Sequence, residues 1–564
     1  MCAAPHAQRP RPVQHTHPCP PQPTAPAEAG LPSPARKRAA EPWLHLAHLS
    51  RLASLFLANR IPAATATSFA LLTMAVSVER IVFLSLVLDL FAFTIPLPLF
   101  PRIIEWYTIR ESGDPNGFLA RTLWAVSTVR SFFYEPRGNP KKWDIVLLGG
   151  LMGSVFSALQ WFVSPRIGSL SDKYGRKRIL LLTMIGNIVS ALVWIKSTSF
   201  ATYMLSRVIG GLSEGNVQLA IAILSDITTP ANRSKALAHV GIAFAICFII
   251  GPPIGAYFAS KPLPALTSSS GIELNVYATP AVLTLVLLLL ETVFLIVALP
   301  ETRGTRARAP ATEKQAETNG HANGHANGHS NGHANGNGVA KKAANGSAPP
   351  TPKYTVEQRI SLLSTLRNLH FLFLGVFSGV EFTLTFLTFD LFDWDNRQNG
   401  MLIGTIGVVS ALLQGGYVRR AMSRTGEGAM ARRGVSVCAL GLLLLAAVPL
   451  ARGARAVALL RAAAVCMAFT SATVVNALTA YASLQCDDGV DADTGKPVQE
   501  HPALAKGAAL GRFRSSGQLG RAIGPLLACA SYWTFGPAFT YAVSAGAMLV
   551  LSSTMKKIAS RRPT

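Results

Sequence analysis

Charged residues are scarce in this chain of 564 residues: Asp, Glu, Lys and Arg make up 14% of it, whereas hydrophobic residues make up 50%. Soluble domains carry roughly a quarter charged residues, so the composition argues against a soluble enzyme. Acids are especially few, because 28 Asp and Glu face 52 Lys and Arg and leave a net charge of +24. Such an excess indicates either a nucleic-acid partner or an anionic membrane face.

Several catalytic signatures are also missing. The seven cysteines are odd in number and lack paired spacing, so neither a disulfide framework nor a zinc site is expected. None of the twelve histidines lies deep in an apolar run, which disfavours proton relay through histidine, a membrane acyltransferase and an intramembrane metalloprotease. A G-x-x-x-x-G-K-[ST] phosphate loop is absent, so ATP is not an evident energy source. We predict neither an enzyme nor a cofactor or metal site.

The chain instead contains twelve long apolar runs, close to the roughly 20 residues that a helix needs to cross a bilayer. Apolar runs span membranes as helices or as closed barrels, and these are too long and too uniformly apolar for barrel strands. We therefore predict an all-α membrane protein with twelve transmembrane helices in two six-helix bundles. The first six predicted spans are Ile81–Pro101, Ile145–Val163, Ile179–Ile195, Tyr203–Leu224, Ala238–Ala259 and Val276–Leu299. The second six are Phe371–Phe392, Met401–Val418, Val435–Ala451, Ala456–Ser483, Ala508–Ala530 and Ala538–Met555.

The spans divide the chain into five predicted regions. These are a basic disordered tail at 1–80, an N-terminal bundle at 81–300, a low-complexity linker at 301–370, a C-terminal bundle at 371–557 and a short tail at 558–564. Within the first tail, Leu44–Pro62 is either an interfacial amphipathic helix or part of an organelle transit peptide.

Two polar segments could bind metal but are better explained otherwise. The linker repeats His every four residues, at His321, His325, His329 and His333, which would align them on one helix face. Because Gly recurs at the same period and disfavours a helix, we predict a flexible linker. The acid-rich segment Asp487–Glu500 lacks the further ligands of a calcium loop and is predicted to be an ordinary polar loop.

The distribution of cations indicates the topology. Lys and Arg concentrate in the tails and in the loops on the side of the two termini, and the bias persists when only short loops are compared. By the positive-inside rule, both termini are predicted to be cytoplasmic. The charge of +24 is thus mainly a topology signal rather than a nucleic-acid footprint. Whether the membrane is the plasma membrane, an endomembrane or an organelle envelope stays open.

The loop between the second and third spans combines glycines, cations and one acid. Glycines permit a tight turn, and an acid among cations can lock helix ends together by charge-assisted hydrogen bonds. The spacing resembles the loop motif of the major facilitator superfamily, whereas a plain positive-inside loop is the simpler alternative. The resemblance implies a gating role for Gly168, Asp172, Lys173, Gly175, Arg176 and Lys177.

Further stretches resemble the drug:proton antiporter branch of that superfamily. Asp89 precedes Pro98 and Pro101 in the first span, Arg207 opens an R-V-I-G-G stretch in the fourth, and Gly251, Pro252 and Gly255 resemble the antiporter motif of the fifth. Close helix packing alone would also explain the glycines. Gly524-Pro525 echoes Gly251-Pro252 six spans later, whereas the second-half loop at Gly415–Arg420 keeps glycine and cations but lacks the acid.

Three segments resemble the tetracycline transporter-like members of the superfamily more specifically: RVIGGLSEGNV at 207–217, FSGVEFTLTFLTF at 377–389 and GQLGRAIGPL at 517–526. This resemblance implies a major facilitator fold and organic anions as the substrate class.

Charges inside the spans give an independent argument for a functional site. Each isolated charge near the bilayer centre costs about 2.5 to 3.5 kcal/mol on insertion scales, so such charges are paired or line a wet cavity. Burial disfavours the charged form of a carboxyl, which makes Asp89 and Glu381 candidates for proton coupling. Arginines can bind an anion with two hydrogen bonds, although structural salt bridges are the alternative for all of these residues. The candidate set is Asp89, Arg207, Glu214, Glu381, Arg514 and Arg521.

Together these observations predict a secondary active transporter that works by alternating access. The preferred hypothesis is proton-coupled efflux of organic anions or amphipathic drug-like molecules. The alternatives are an uptake symporter, a facilitative carrier of a small organic solute, and a non-transporting membrane sensor or scaffold. The expected partners are a small organic substrate, protons and the lipid bilayer, and the expected state is a monomer.

Overall fold

A computed structural model describes residues 77–96, 99–133, 140–259, 275–303, 354–394, 396–486 and 501–559. The predicted tail helix, the His-rich linker segment, Pro98 and the acidic loop lie outside the described residues. Within the described ranges every regular element is helical.

In the described residues before the linker, nine helices form: α1 (Val78–Thr94), α2 (Phe100–Arg110), α3 (Phe118–Phe133), α4 (Pro140–Tyr174), α5 (Arg176–Ile195), α6 (Phe200–Ser213), α7 (Asn216–Ile227), α8 (Pro230–Ala259) and α9 (Ala278–Ala298). After the linker follow α10 (Val356–Phe392), α11 (Asn396–Leu412), α12 (Arg419–Thr425), α13 (Glu427–Ala447), α14 (Ala454–Leu484), α15 (Lys506–Phe535), α16 (Pro537–Thr554) and α17 (Lys556–Ala559). A π-helical segment at Leu413–Val418 joins α11 to α12, and a 3₁₀ turn at Val448–Leu450 extends α13.

Each predicted span coincides with helix over most of its length. In the described part of the chain, nine helical stretches are long and apolar enough to cross a membrane, and they match the second to tenth predicted spans. The first, eleventh and twelfth spans correspond to α1, α15 and α16.

Two predicted spans are interrupted. The first ends as α1 at Thr94, and α2 then starts anew with Pro101 in its first turn, since proline is tolerated there but not inside a helix. The fourth span is not continuous: α6 stops before Glu214, whose extended backbone leads through Gly215 into α7. Glu214 therefore sits at a break between two helices, where the regular pattern of intrahelical hydrogen bonds ends.

Helix ends also differ from the hydropathy estimate. α10 begins at Val356, earlier than the predicted span, because Thr355 and Gln358 form a capping box that hydropathy does not register. The loop between the first and second predicted spans, for which no helix was predicted, contains α3 and most of α2. α2 forms because Ile103, Ile104 and Tyr107 give it one fully buried face.

The two halves of the protein meet along α4 and α15, which run antiparallel to each other. The C-terminal end of α4 contacts the start of α15, and Trp143 in the first turns of α4 contacts Trp533 near the end of α15. Glycines allow this approach: a Cβ on Gly168 would collide with the carbonyl group of Gly507. α15 therefore brings charged residues of the second half to the face of the first half.

Candidate functional site

Asp89 lies buried in α1, with 3% of its surface exposed. Its Oδ1 accepts a hydrogen bond of 2.6 Å from Nδ2 of Asn216. The amide oxygen of Asn216 in turn accepts a hydrogen bond of 2.9 Å from the Thr183 hydroxyl. Asn216, the first residue of α7, thus connects α1 and α5 at the helix break. It was not predicted as a site residue, although it ends the GLSEGN segment that follows Arg207.

Glu214 lies at the same break and has arginines on two sides. It interacts electrostatically with Arg207 of α6 and with Arg514 of α15, and Arg514 also acts on Asp89. Among the described residues, no side-chain nitrogen of Arg207 or Arg514 lies within 4 Å of a carboxylate oxygen. The predicted charges therefore come together without forming a closed salt bridge.

Aromatic rings flank the Arg207 guanidinium. Its central carbon lies 4.9 Å from the ring centroid of Phe156 and 5.4 Å from that of Phe100. Both distances are typical of cation–π contacts. No described residue forms a side-chain hydrogen bond with Arg207, so its N–H groups are available to a ligand.

A cavity of about 60 Å³ lies between these groups. Its walls come from α1, α4, α5, α6 and α9, all in the N-terminal half. They include Asp89, Phe93, Phe156, Asn187, Arg207 and Glu214. The cavity thus has one acidic side, one basic side and an aromatic wall.

Glu381 and Arg521 form a pair outside the cavity, and Arg521 also acts on Arg514. Both side chains are exposed, Glu381 on α10 and Arg521 on α15, and they interact electrostatically with each other. Neither lines the cavity. The six predicted site residues therefore divide into two groups. Asp89, Arg207 and Glu214 line the cavity, and Arg514 acts on the two acids from α15. Glu381 and Arg521 do not line it.

Asp172 of the loop motif joins the two halves. Its carboxylate accepts hydrogen bonds from the backbone N–H groups of Gly507 at 2.8 Å and Ala508 at 2.6 Å, in the first turn of α15. A carboxylate at a helix N-terminus satisfies otherwise unpaired N–H groups and interacts favourably with the helix dipole. The acid of the motif therefore caps a helix of the opposite half.

Arg176 holds two acids together beside this contact. Its Nη1 lies 2.7 Å from Asp172 Oδ1, and its Nε lies 2.9 Å from Asp226 Oδ2 at the end of α7. Asp226 also faces Lys506 of α15, with 3.4 Å between Oδ1 and Nζ. Asp226 and Lys506 were not predicted, because no local spacing marks them as partners of the motif.

The turn of the motif requires glycine. Gly175 has a φ of +103°, and a Cβ there would collide with the carboxylate of Glu301. Glu301 accepts hydrogen bonds from the backbone N–H groups of Arg176 at 2.8 Å and Lys177 at 3.2 Å. The two lysines pack against other groups: Lys173 Nζ lies 5.1 Å from the Tyr174 ring centroid, and Lys177 Nζ donates to the Ile296 carbonyl at 2.8 Å. The chain after α9 is thereby tied to the motif loop.

The second-half counterpart of this turn is not the predicted Gly415–Arg420 segment. Gly415 and Gly416 lie inside the π-helical segment, and the turn falls at Gly426, which has a φ of +84° and precedes α13 as Gly175 precedes α5. Its acid, Glu427, follows the glycine instead of preceding it. Glu427 accepts a hydrogen bond from the Ser234 hydroxyl near the start of α8. The acid of the second-half turn thus follows its glycine, whereas Asp172 precedes Gly175. Like Asp172, Glu427 bonds to a residue of the opposite half.

The antiporter-like motif of the fifth span packs α8 against α1. A Cβ on Gly251 would collide with the Thr94 side chain, and one on Gly255 with the Ile95 carbonyl. Pro252 lies between these glycines, inside α8. In the second half, Gly524 of α15 meets the Gly375 carbonyl of α10 in the same way. The two Gly-Pro pairs therefore occupy equivalent packing positions.

These features define a class of protein. The chain matches the model of the Major Facilitator Superfamily over residues 82–489, and it belongs to this family of membrane transporters. It is therefore an integral multi-pass membrane protein and a transporter rather than an enzyme.

Particular relatives are similar over most of the chain. Major facilitator superfamily domain-containing protein 10 of Bos taurus is 33% identical over 484 residues, which are 85% of this chain and 92% of the relative. The Homo sapiens protein of that name is 32% identical over 485 residues, 85% and 93% of the two chains. The crystal structure of the human organic anion transporter MFSD10 (TETRAN) matches with a TM-score of 0.65 at 30% identity, over 85% of this chain and 99% of that one. The predicted fold class and family are confirmed.

Proposed function

We propose that this protein is a secondary active transporter that exports organic anions or amphipathic drug-like molecules, coupled to protons, by alternating access. The observation that carries the proposal is that Asp89, Arg207 and Glu214 line one cavity, with Arg514 of α15 acting on its two acids. A similar chain is described as an organic anion transporter, which supports anions as the substrate class.

Arg207 is the group best suited to bind an anion. Its planar guanidinium can donate two parallel hydrogen bonds to a carboxylate or sulfonate, and no described side chain occupies those donors. The rings of Phe100 and Phe156 beside it suit the apolar part of an amphipathic substrate. Ligand pockets for drug-sized molecules measure roughly 300–1,000 Å³, so the cavity of about 60 Å³ has to widen when substrate enters.

Asp89 is the group best suited to carry the coupled proton. It lines the same cavity as Arg207, and its hydrogen bond from Asn216 ties it to the helix break. A substrate group that bonds to the Asp89 carboxylate takes the place of the proton. Proton and substrate then bind in turn, as exchange across the membrane requires.

A second mode of coupling follows from Glu214. Because Glu214 interacts with both Arg207 and Arg514, an anion that binds these arginines competes with it. The displaced carboxylate then gains a proton more readily, and the anion and proton bind together. This electrostatic arrangement favours co-transport of a purely anionic substrate with a proton. Exchange of substrate for proton suits substrates that donate a hydrogen bond to Asp89.

Reconstituted vesicles with an imposed pH gradient distinguish these modes. We would measure uptake of 6-carboxyfluorescein, an anionic dye, and rhodamine 6G, a cationic amphipathic dye, with the gradient in each direction. Exchange predicts uptake into vesicles that are acidic inside, and co-transport predicts uptake into vesicles that are acidic outside. Asp89→Asn should abolish the response to the gradient, and Asp390→Asn, which neutralises an exposed acid outside the cavity, should preserve it. Flux indifferent to both the gradient and Asp89→Asn would refute proton coupling.

Arg207 variants test the anion site. Arg207→Gln should abolish carboxyfluorescein transport, and Arg207→Lys should restore it only in part, because an ammonium group retains the charge without the planar pair of donors. Equal transport by wild type and Arg207→Gln would refute the assignment.

We further propose that the motif loop forms a gate at the cytoplasmic end and that both termini are cytoplasmic. Supporting this topology, Lys173, Lys177, Arg178 and Arg303 lie together at the end of the protein that carries the loop. Supporting a gate, Asp172 bonds to α15 across the seam between the halves. Labelling of a cysteine introduced at exposed Lys173 with an impermeant reagent, from each side of intact cells, tests the topology.

A further inference from the structure

Glu291 in the middle of α9 is a fully buried acid that the proposed transport cycle does not yet use. It has 0% of its surface exposed. Its Oε1 accepts a hydrogen bond of 2.7 Å from the Ser85 hydroxyl of α1, while its Oε2 has no hydrogen-bond partner among the described residues. Ser85 lies one helical turn from Asp89 on the same face of α1.

The described charged groups that act on Glu291 are both negative. α1, which packs against α9, contributes Asp89, and Glu214 acts on Glu291 from the break between α6 and α7. No described charged group of α5 or α8 acts on it. Arg207 and Arg514 act on Glu214, and Arg514 also acts on Asp89, but neither arginine acts on Glu291. Three acids thus face two arginines, which leaves one negative charge without compensation.

An ionised carboxylate in this position would be costly. Removing a carboxylate from water costs several kcal/mol even after relaxation, unless a cation or several hydrogen bonds replace the water. Within the part of the chain that the structure describes, Glu291 has one neutral hydroxyl donor and no cation acting on it. A proton on Oε2 removes the excess charge, leaving Oε1 free to accept the bond from Ser85.

We propose that Glu291 is a second proton-binding site, coupled to Asp89 so that only one of the two carboxyls is ionised at a time. This inference rests on the proposed proton-coupled function and adds a second proton-binding carboxyl to it. It also connects the proton to the gate, because the chain that leaves α9 carries Glu301, which bonds to the backbone of the motif loop.

Infrared spectroscopy of the purified full-length protein in lipid tests proton binding without a substrate. Protonated carboxyl groups have a C=O stretching band that carboxylates and amides lack. At neutral pH, Glu291→Gln should remove part of this band. Ser85→Ala should shift the same part to higher frequency, because the C=O group loses its hydrogen-bond donor. Thr292→Val, which removes a non-titratable hydroxyl at the next position of α9, should change neither. A band that is unchanged in both Glu291→Gln and Ser85→Ala would overturn the proposal.

Transport in the vesicles described above tests the coupling. Glu291→Gln should lose gradient-driven accumulation of whichever dye the wild type accumulates, while it still exchanges internal for external dye. Retained exchange shows that the variant folds, and Ser85→Ala provides a second variant that keeps the carboxyl. Accumulation by Glu291→Gln equal to wild type would overturn the coupling to Asp89. If the wild type ignores the gradient, the proposed function fails, whereas the infrared result still decides whether Glu291 binds a proton.

Discussion

Removing the charge of Asp172 should open the end of the protein that carries the motif loop. Asp172 accepts two backbone hydrogen bonds from the first turn of α15, at 2.8 and 2.6 Å, and one from Arg176 at 2.7 Å. In Asp172→Asn one side-chain oxygen remains as an acceptor, and the amide N–H groups face the other donors. Hydrogen bonds to charged groups contribute about 1.5 to 3 kcal/mol each, so losing one across the seam costs the closed state about 2 kcal/mol.

A shift of about 2 kcal/mol changes the ratio of open to closed molecules about thirtyfold. Ser515 is a suitable reporter, because it is buried in the seam and its hydroxyl donates to the Trp161 carbonyl at 2.7 Å. In a chain that lacks its native cysteines, we expect the maleimide reaction of Ser515→Cys to accelerate by about that factor when Asp172→Asn is added.

The matched control is Asp390→Asn, because Asp390 accepts a hydrogen bond of 3.0 Å from the Tyr532 hydroxyl within the second half. It should leave the reaction rate of Cys at position 515 unchanged. A rate within twofold of the parent in Asp172→Asn would show that the contact with α15 does not hold this end closed.

Three further predictions concern other contacts. Gly175→Ala should lower the free energy of unfolding by about 1 to 3 kcal/mol, and Gly426→Ala should lower it less. Both glycines have positive φ, but only Gly175 faces a carboxylate. Equal melting temperatures of the two variants would contradict the collision with Glu301. Gly255→Ala should cost about 1 to 3 kcal/mol through overpacking, whereas Gly404→Ala, with open space around it, should be neutral or stabilising in the same melting assay. Trp143→Ala should favour separation of α4 from α15 at the end opposite the motif loop, because it removes two ring contacts. The Trp143 ring centroid lies 5.2 Å from that of Phe386 and 6.4 Å from that of Trp533. Such ring pairs contribute about 0.5 to 1.5 kcal/mol each beyond area burial; spin-label distances across that seam that match wild type would refute this role.

The ends of α4 and α15 are thus joined by different chemistry. At the motif loop the contacts are hydrogen bonds and ion pairs around Asp172 and Asp226. At the opposite end they are aromatic rings that meet Trp143 edge-to-face or at a tilt. Polar contacts can exchange partners with water when helices separate, whereas aromatic contacts lose apolar burial. We expect the two ends to respond differently to salt, with the motif end weakened by ionic strength.

The sequence alone determined the fold class and the positions of most membrane helices. Hydropathy suffices for this because a bilayer satisfies no backbone groups, so that every long apolar run has to form helix. It also identified Asp89, Arg207 and the Asp172 motif, because charges and glycines are conspicuous within apolar or turn sequence. It misplaced the second-half turn, since the paired glycines at 415 and 416 resemble a turn locally, whereas the positive φ that defines the turn falls at Gly426.

Only the tertiary structure decided which charges meet. Arg514 lies 425 residues from Asp89 and 300 from Glu214 along the chain, and no local pattern indicates that α15 brings it within electrostatic reach of both acids. Likewise Glu381, in the seventh span, lies outside the cavity that Asp89 of the first span lines. Glu291 is fully buried, and the described charged groups that act on it are both acids. The free energy of a buried charge depends on what surrounds it in space, and the neighbours of these residues come from helices far apart in the chain.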